Sequence, residues 1–326
     1  MNLLVKGIGS ALPPKRLTNF DLEKIVDTSD EWIRTRTGIS ERRITEKETT
    51  SDLAVEAARK ALEAAETDPM EVELIVVGTV TADMMFPSCG CMIQEAIGAK
   101  NSVAFDVSAA CSGFVFALSA AESYLRAGIY GNALVVGADT LTKYLDWEDR
   151  NTCILFGDGA GAVFLQAEER NDNRGLISSR INTDGAYGKM LYLPGGGSSA
   201  VPSVESVARK AHCLSMKGRE VFKLAVKYLS DSVKTILAEN QLTLEELDLF
   251  IPHQANERIM RAVAENLSLP WEKVVNIVSW TGNSSSSTIP LALDQVNREG
   301  RLTPGTLVVL SAFGGGASWG SALIRW

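Results

Sequence analysis

Apolar residues along the chain follow two spacings, one typical of helices and one of buried strands. From Ser51 to Glu66 they recur every three or four positions, which predicts a helix with Ser51 as its N-cap. The run LIVVGTV from Leu74 is continuously apolar, as in a strand buried on both faces. The chain therefore opens a helix–strand alternation.

This alternation continues to the end of the chain. In the first half we predict a helix near 88–97, a strand at 103–107, a helix of small residues at 112–127 and a strand at 133–137. In the second half we predict a helix at 220–240, strands at 247–251, 274–278 and 306–310, and helices at 255–267 and after Asn283. Strands that alternate with helices of this length indicate an α/β fold with largely parallel sheets.

The two halves repeat one pattern. Leu74, Cys111 and Val136 correspond in order to Leu249, Asn283 and Val309, at offsets between 172 and 175 residues. The glycine segment FGDGAGAVFL from Phe156 recurs as FGGGASWGSALI from Phe313. Repeats that recur in the same order predict two copies of one half-domain, residues 1–170 and 171–326, related by a pseudo-two-fold axis. A site between the copies is expected.

Composition excludes several classes of protein. Of 326 residues, 45% are hydrophobic and 22% are charged, which predicts a folded core. The net charge of −8 argues against a non-specific nucleic-acid binder, and no apolar run reaches membrane-spanning length. The five cysteines lack framework spacing and no signal peptide is evident, so a cytoplasmic protein is expected. With two histidines and no CxxC pair, a zinc site is not expected.

Cys111 is the first candidate for chemistry. It lies in DVSAACSGF, after a predicted strand and at the start of a helix, where the helix dipole favours a thiolate with a pKa of about 7. Small neighbours leave room for a substrate. The alternative is a small, inert, packed residue.

His253 and Asn283 occupy similar strand-to-helix turns in the second half. The carboxyl ends of parallel strands are where α/β sites gather, and an asparagine amide can donate to an oxyanion. The alternatives are a histidine satisfied in the core and an asparagine that caps a helix. The glycine run 314–316 is either a backbone that closely approaches a ligand or a tight hairpin. Neither glycine segment has a nucleotide-binding pattern.

Six motifs together resemble the β-ketoacyl-acyl-carrier-protein synthase III family, end to end. They are VDTSDEWIRTRTGI (26–39), DVSAACSGF (106–114), DWEDRNT with FGDGAGA (146–162), IPHQANERI (251–259), GNSSSST (282–288) and AFGGGASWGSAL (312–323). The resemblance implies the thiolase-like, five-layered αβαβα fold of this family. It also implies a homodimer.

The resemblance implies a catalytic set of Cys111, His253 and Asn283. Cys111 accepts an acyl group from acyl-CoA, malonyl-acyl-carrier protein loses CO₂ beside His253 and Asn283, and the carbanion attacks the acyl-enzyme. The N–H groups of Cys111 and Gly315 form the oxyanion hole. No metal or cofactor is implied, since the CoA thioester is a substrate.

Binding residues follow from the same resemblance. Those implied for CoA are Trp32, Arg36, Arg150 and Asn256. Those implied for the acyl pocket are Leu141, Phe313 and Phe86, which reaches across the dimer interface; an ordinary core phenylalanine is the alternative at 86. Those implied for carrier-protein docking are Gln254, Ala255, Asn256, Glu257, Arg258 and Lys223, with a solvated helix face as the alternative.

Three other functions stay open at this point. One is a related priming ketosynthase or acyltransferase of secondary metabolism, one is a non-catalytic partner subunit, and one is a cysteine hydrolase. The segment 194–212 is several residues longer than in a typical family member, and we expect it to border the acyl or pantetheine channel.

Overall fold

The computed structural model describes residues 1–170 and 172–326. The strands are β1 (Asn2–Ala11), β2 (Arg16–Thr18), β3 (Glu41–Arg43), β4 (Leu74–Gly78), β5 (Val103–Val107), β6 (Asn132–Thr140), β7 (Asp158–Glu168), β8 (Gly175–Thr183), β9 (Leu191–Tyr192), β10 (Ser215–Met216), β11 (Leu249–Pro252), β12 (Leu307–Gly314) and β13 (Ser318–Arg325). The α-helices are α1 (Asn19–Leu22), α2 (Asp30–Thr37), α3 (Thr50–Ala64), α4 (Cys89–Ile97), α5 (Gly113–Arg126), α6 (Val204–Ala208), α7 (Gly218–Glu239), α8 (Glu257–Leu267), α9 (Val278–Thr281) and α10 (Thr288–Arg298).

Two sheets organise the chain. The first has the order β1-β7-β6-β4-β5, with β4 parallel to β5 and β6, and the second has the order β11-β12-β13-β8, with β11 parallel to β12. The first sheet ends at Glu168 and the second takes up the chain at Gly175, and the division of the chain at 170/171 stays a prediction. Each sheet also contains antiparallel pairs, β7 with β1 and β6 in the first sheet and β13 with β12 and β8 in the second.

Helices cover both sheets and fill the space between them. The apolar faces of α3 and α4 pack on the outer face of the first sheet, and those of α7 and α8 on the outer face of the second. The helices α5 and α10 form one core with strands of both sheets. This arrangement confirms the predicted five-layered αβαβα fold. None of the helices in the described ranges is long and apolar enough to cross a bilayer.

Most predicted elements are present, with local corrections. The strands at 74 and 103–107 begin where the pattern placed them. Helix α3 is capped by Thr49 through a capping box with Asp52, and Ser51 instead donates to Asp83 at 2.5 Å. Capping therefore comes two residues earlier than predicted.

The strand predicted at 274–278 is wrong. Only Val274 bridges to the second sheet, opposite Phe250. The side chain of Gln254 takes the hydrogen bonds that a neighbouring strand would make to the next residues. Its amide donates to the carbonyl of Val275 at 3.0 Å and accepts the N–H of Ile277 at 2.9 Å. A side chain thus replaces the strand ladder, and the chain turns into α9.

Close backbone contacts bring the start of α5 onto the first sheet. A Cβ on Gly78 would lie 2.2 Å from the carbonyl carbon of Gly113, so a side chain at 78 would push the helix away. From the second half, Ser286 donates to the carbonyl of Gly78 at 2.8 Å. The turns that precede α5 and α10 therefore meet in the central layer.

Candidate active site

Cys111 lies on the 3₁₀ turn Ala110–Ser112, between β5 and α5, and is 6% exposed. Ala110 has a φ of +46°, a left-handed conformation that is strained for a residue with a side chain and is often found at functional sites. The second half closes over this turn, because a Cβ on Gly314 would lie 2.8 Å from the Cys111 nitrogen. Only glycine permits that approach.

Burial controls the ionisation of the thiol. It raises the pKa of Cys111 to about 12, opposed in part by a hydrogen bond that the Ser285 hydroxyl donates to Sγ at 3.5 Å. The lowered pKa expected from the helix start is therefore wrong. At neutral pH the resting group is a thiol.

His253 follows β11 and is held rigidly. Its backbone N–H donates to the carbonyl of Ser311 at 2.8 Å, and its ring Nδ1 lies 2.7 Å from the Thr288 hydroxyl. Burial lowers the pKa of His253 to about 3, so the ring is neutral at pH 7. The Thr288 hydroxyl satisfies the hydrogen bonding of Nδ1, so Nε2 remains for a ligand.

Asn283 is fixed through both its backbone and its side chain. Its N–H donates to the carbonyl of Leu155 at 2.9 Å, and its carbonyl accepts the N–H of Gly157 at 3.0 Å. Its Oδ1 accepts the N–H of Ser285 at 3.0 Å, a contact of the Asx-turn kind. The N-caps of the turn and helix that follow are Ser284 and Ser287, so the alternative of a helix-capping asparagine is wrong. The donor end of the amide, Nδ2, remains for a ligand.

One cavity of about 820 Å³ brings these side chains together. Cys111 comes from the first half, and His253 and Asn283 from the second, as expected for a site between the copies. The predicted residues that also line it are Trp32, Arg36, Lys223, Ala255, Asn256, Arg258 and Phe313. Lining residues that the sequence reasoning missed include Leu191, Met216 and Arg219, which no motif marked, and Asn151, which lies in the motif DWEDRNT but was given no role. Leu191 and Met216 flank the segment 194–212, none of whose own residues lines the cavity, so the expectation that it borders the channel stays a prediction.

An aromatic and cationic cluster stands at the mouth of the cavity. The guanidinium of Arg36 lies 4.6 Å and that of Arg150 4.9 Å from the centre of the Trp32 ring. Arg150 also donates to the carbonyl of Asp27 at 3.0 Å. Asn256 caps α8 by accepting the N–H of Ile259. An indole and two cations can bind a planar base and phosphates.

The predicted docking residues divide into two groups. Gln254 is fully buried and its side chain is hydrogen-bonded to the backbone, so its prediction as a docking residue is wrong. Glu257 is tied to Arg261 by a 2.6 Å salt bridge, and Ala255 is half-buried. Arg258, Lys223 and Arg219 are exposed at the cavity, and within the described ranges none pairs with a carboxylate. These three cations are free to meet an anionic partner.

The three predicted acyl-pocket residues lie in different surroundings. Phe313 lines the cavity and stacks on Tyr228 at 6.0 Å. Leu141 is buried in the core next to β6, away from the lining. Phe86 is 84% exposed, so the alternative of an ordinary core phenylalanine is wrong.

The glycine run lies against the nucleophile turn. Besides the contact of Gly314, a Cβ on Gly315 would meet the carbonyl of Leu191 at 2.6 Å. The hydroxyl of Ser318 lies 2.9 Å from the carbonyl oxygens of both Ala109 and Gly315, and donating its one proton to either secures the run. Among residues 1–170 and 172–326, no group of three or more histidine, cysteine or acidic side chains is arranged to hold a metal.

Comparisons with known proteins agree with this geometry. Family models described as 3-oxoacyl-[acyl-carrier-protein] synthase III and its C-terminal part match residues 105–185 and 237–326. A β-ketoacyl-[acyl-carrier-protein] synthase III of Xylella fastidiosa is 53% identical over 323 residues, covering 99% of this chain and 98% of the relative. The crystal structure of 3-oxoacyl-[acyl-carrier-protein] synthase III from Aquifex aeolicus has a TM-score of 0.92 and 43% identity, covering 99% and 100% of the two chains.

A third structure is the priming β-ketosynthase of the R1128 polyketide pathway, with a TM-score of 0.91, 34% identity and coverage of 99% and 96%. Together, fold, site and similarity define a thiolase-fold condensing enzyme, an acyltransferase. The chain belongs to the β-ketoacyl-[acyl-carrier-protein] synthase III family. The alternative of a secondary-metabolite enzyme is not favoured, because identity to that ketosynthase is lower.

Proposed function

We propose that Cys111, His253 and Asn283 carry out in this chain the reaction of its family. An acyl-CoA starter and malonyl-acyl-carrier protein undergo a decarboxylative Claisen condensation that gives 3-oxoacyl-acyl-carrier protein, CoA and CO₂. This step initiates fatty-acid synthesis. The observation that carries the proposal is the meeting of the three side chains, from two halves, at one cavity.

In the first half-reaction, the Cys111 sulfur attacks the thioester carbonyl of a short acyl-CoA. The new carbon–sulfur bond forms as the bond to the CoA sulfur breaks, and the proton of the thiol leaves with the CoA thiol. A thiol with a pKa of about 12 is a weak nucleophile until it loses this proton, and the Ser285 hydroxyl at 3.5 Å stabilises the charge that develops on sulfur. The N–H groups of Cys111 and Gly315 receive the oxyanion.

In the second half-reaction, malonyl-acyl-carrier protein loses CO₂. The electron pair of the broken carbon–carbon bond moves onto the thioester oxygen as an enolate, beside Nε2 of His253 and Nδ2 of Asn283. Because its ring is neutral, His253 stabilises this oxygen as a hydrogen-bond donor. The enolate carbon then attacks the acyl group on Cys111, and the thiolate leaves.

The cations and the indole at the cavity mouth bind the two substrates in this proposal. Trp32, Arg36 and Arg150 receive the adenine and phosphates of CoA. Arg258, Lys223 and Arg219 receive the carrier protein, which we expect to be acidic. The chemistry as written uses no cofactor. A homodimer and a cytoplasmic location belong to the same proposal.

Intact mass spectrometry separates the three roles. After brief mixing with a panel of acyl-CoAs, the native protein should gain one acyl group and lose it when malonyl-acyl-carrier protein is added. We expect Cys111→Ala to give no adduct, whereas His253→Ala and Asn283→Ala acylate but condense at least about a hundredfold more slowly. The acyl-CoA that is consumed fastest identifies the starter.

Two outcomes would contradict the proposal. Equal loss of acylation in all three variants would mean that the division of roles is wrong. An adduct that water removes without malonyl-acyl-carrier protein would indicate a cysteine hydrolase, and no adduct at all a non-catalytic partner.

A further inference from the structure

One hydroxyl group contacts two hydrogen-bond acceptors beside the active-site histidine. The Oγ1 of Thr288 lies 2.7 Å from Nδ1 of His253 and 3.0 Å from the carbonyl oxygen of Ser285. Both Thr288 and His253 are buried, at 1% and 3% exposure. Water therefore has little access to form hydrogen bonds with either side chain. A hydroxyl has only one proton to donate. The direction of that proton therefore determines which ring nitrogen of His253 carries hydrogen.

Two arrangements satisfy these contacts. If the hydroxyl donates to Ser285, Nδ1–H of His253 must donate to the hydroxyl, and Nε2 is a bare acceptor. If the hydroxyl donates to Nδ1, then Nε2 carries the ring proton and is a donor. A neutral ring has one N–H only, so the two arrangements offer the cavity opposite chemistry.

The carbonyl of Ser285 does not need the hydroxyl. It also accepts the backbone N–H of Thr288, at the end of the turn Ser285–Ser287. Turning the hydroxyl towards His253 therefore leaves no buried carbonyl without a partner, and the cost of an unsatisfied group does not arise. The backbone of His253 is fixed by Ser311, so the ring stays in reach of the turned hydroxyl.

We propose that Thr288 is a positioning residue whose hydroxyl donates to Nδ1 and thereby holds His253 as a hydrogen-bond donor at Nε2 for the enolate oxygen. The inference rests on the proposed role of His253 in decarboxylation. A carbonyl or carboxylate in place of Thr288 would accept only, and would fix the proton on Nδ1. A hydroxyl is the small partner that can donate here.

Three variants test the inference on the two half-reactions separately. Thr288→Val removes the hydroxyl at nearly constant volume, and Thr288→Ser restores it. Ser287→Ala is the matched control: its buried hydroxyl, one residue away, bonds only to Ser284, at 2.7 and 2.8 Å. We expect Thr288→Val to lower kcat for condensation about tenfold to a hundredfold, with acylation by acyl-CoA unchanged. Thr288→Ser and Ser287→Ala should condense at nearly the native rate.

The position of the ring proton can be read directly by ¹⁵N NMR of histidine-labelled protein. The chain has only His212 and His253, and His212→Asn assigns the signals. We expect protonated Nε2 and bare Nδ1 at His253 in the native acyl-enzyme, and the same in Thr288→Ser.

Either readout can overturn the inference. Protonated Nδ1 in the acyl-enzyme, or Thr288→Val condensing as fast as Thr288→Ser, would reject it. Equal losses of acylation and condensation in Thr288→Val would indicate a merely structural role. Failure of the proposed function itself is distinguishable, because the native protein would then form no ketoacyl product while the NMR assignment still stands.

Discussion

Two opposing influences act on the buried thiol at the start of α5. The N-terminus of a helix favours a thiolate, whereas removal from water favours the thiol. At Cys111 burial is the larger influence, and it raises the pKa to about 12. The sulfur is therefore protected from unspecific alkylation and oxidation at rest, because the thiolate is the reactive form.

The pH dependence of alkylation tests which influence dominates. Below a pKa of about 12 the thiolate fraction, and with it the rate, rises about tenfold per pH unit. We expect the alkylation of Cys111 by iodoacetamide, followed by peptide mass spectrometry, to rise in this way from pH 7 to pH 9. Ser285→Ala should be slower at each pH, because it removes the hydrogen bond to sulfur. A plateau below pH 8 would show that the helix start dominates.

Among the helices, α7 and α8 together form the cationic border of the cavity. Arg219 and Lys223 come from α7, and Arg258 comes from the first turn of α8. Arg261, one turn further along α8, is held by Glu257 at 2.6 Å and lies over the Trp271 ring at 4.2 Å. Two arginines on one helix therefore differ in their freedom to bind a partner.

This difference gives a matched pair of variants for carrier-protein docking. We expect Arg258→Glu to raise the KM for malonyl-acyl-carrier protein about tenfold or more and to change the KM for acyl-CoA less, because charge at a docking surface acts on the partner. Arg261→Glu makes the same change in charge at a residue that is already paired, and should have a smaller effect. Steady-state kinetics with each substrate varied in turn makes the comparison. Equal effects of the two variants would reject the docking surface.

Hydrophobic periodicity predicted the strands well where they are held by backbone hydrogen bonds to neighbouring strands. The strand at Leu74 is buried and apolar, and the half-buried strand at 103–107 also begins where its pattern predicted it. The strand at 274–278 was wrong because the side chain of Gln254, distant in sequence, replaces the ladder. Hydrophobic pattern does not encode such a contact.

The site, like the fold, was predictable where local sequence motifs define it and not where contacts between distant segments do. Cys111, His253 and Asn283 lie on turns that the motifs marked, and the structure brings them to one cavity. Arg219 has no motif and becomes visible only when α7 packs beside α8. The pKa of Cys111 was misjudged because burial depends on Gly314 and its neighbours in the other half.

For the molecule as a whole, the first sheet ends at an unpaired edge. β5 is its last strand, and Val103 on that strand is 48% exposed. Met85 and Phe86, in the loop after β4, are each 84% exposed. Exposed edge strands and large apolar side chains are typical of an interface, and we propose that a second copy of the chain covers this one.

Light scattering tests this homodimer. We expect a mass of twice 35.1 kDa for the native chain, and a shift towards the monomer for Phe86→Glu. Val204→Glu is the control, because Val204 is 91% exposed on α6 and is not predicted at the interface. A monomeric native chain would exclude the dimer.

The meeting of Cys111 and Asn283 at one cavity has a consequence for symmetry. Two identical half-chains that paired about a true two-fold axis would present either two thiols or two amides, never one of each. Joining the copies in a single chain allows each to mutate alone. The proposed reaction uses that inequality, because in it one copy holds the acyl group while the other stabilises the incoming carbanion. In this molecule the chemistry resides in the places where the duplicates have ceased to be alike.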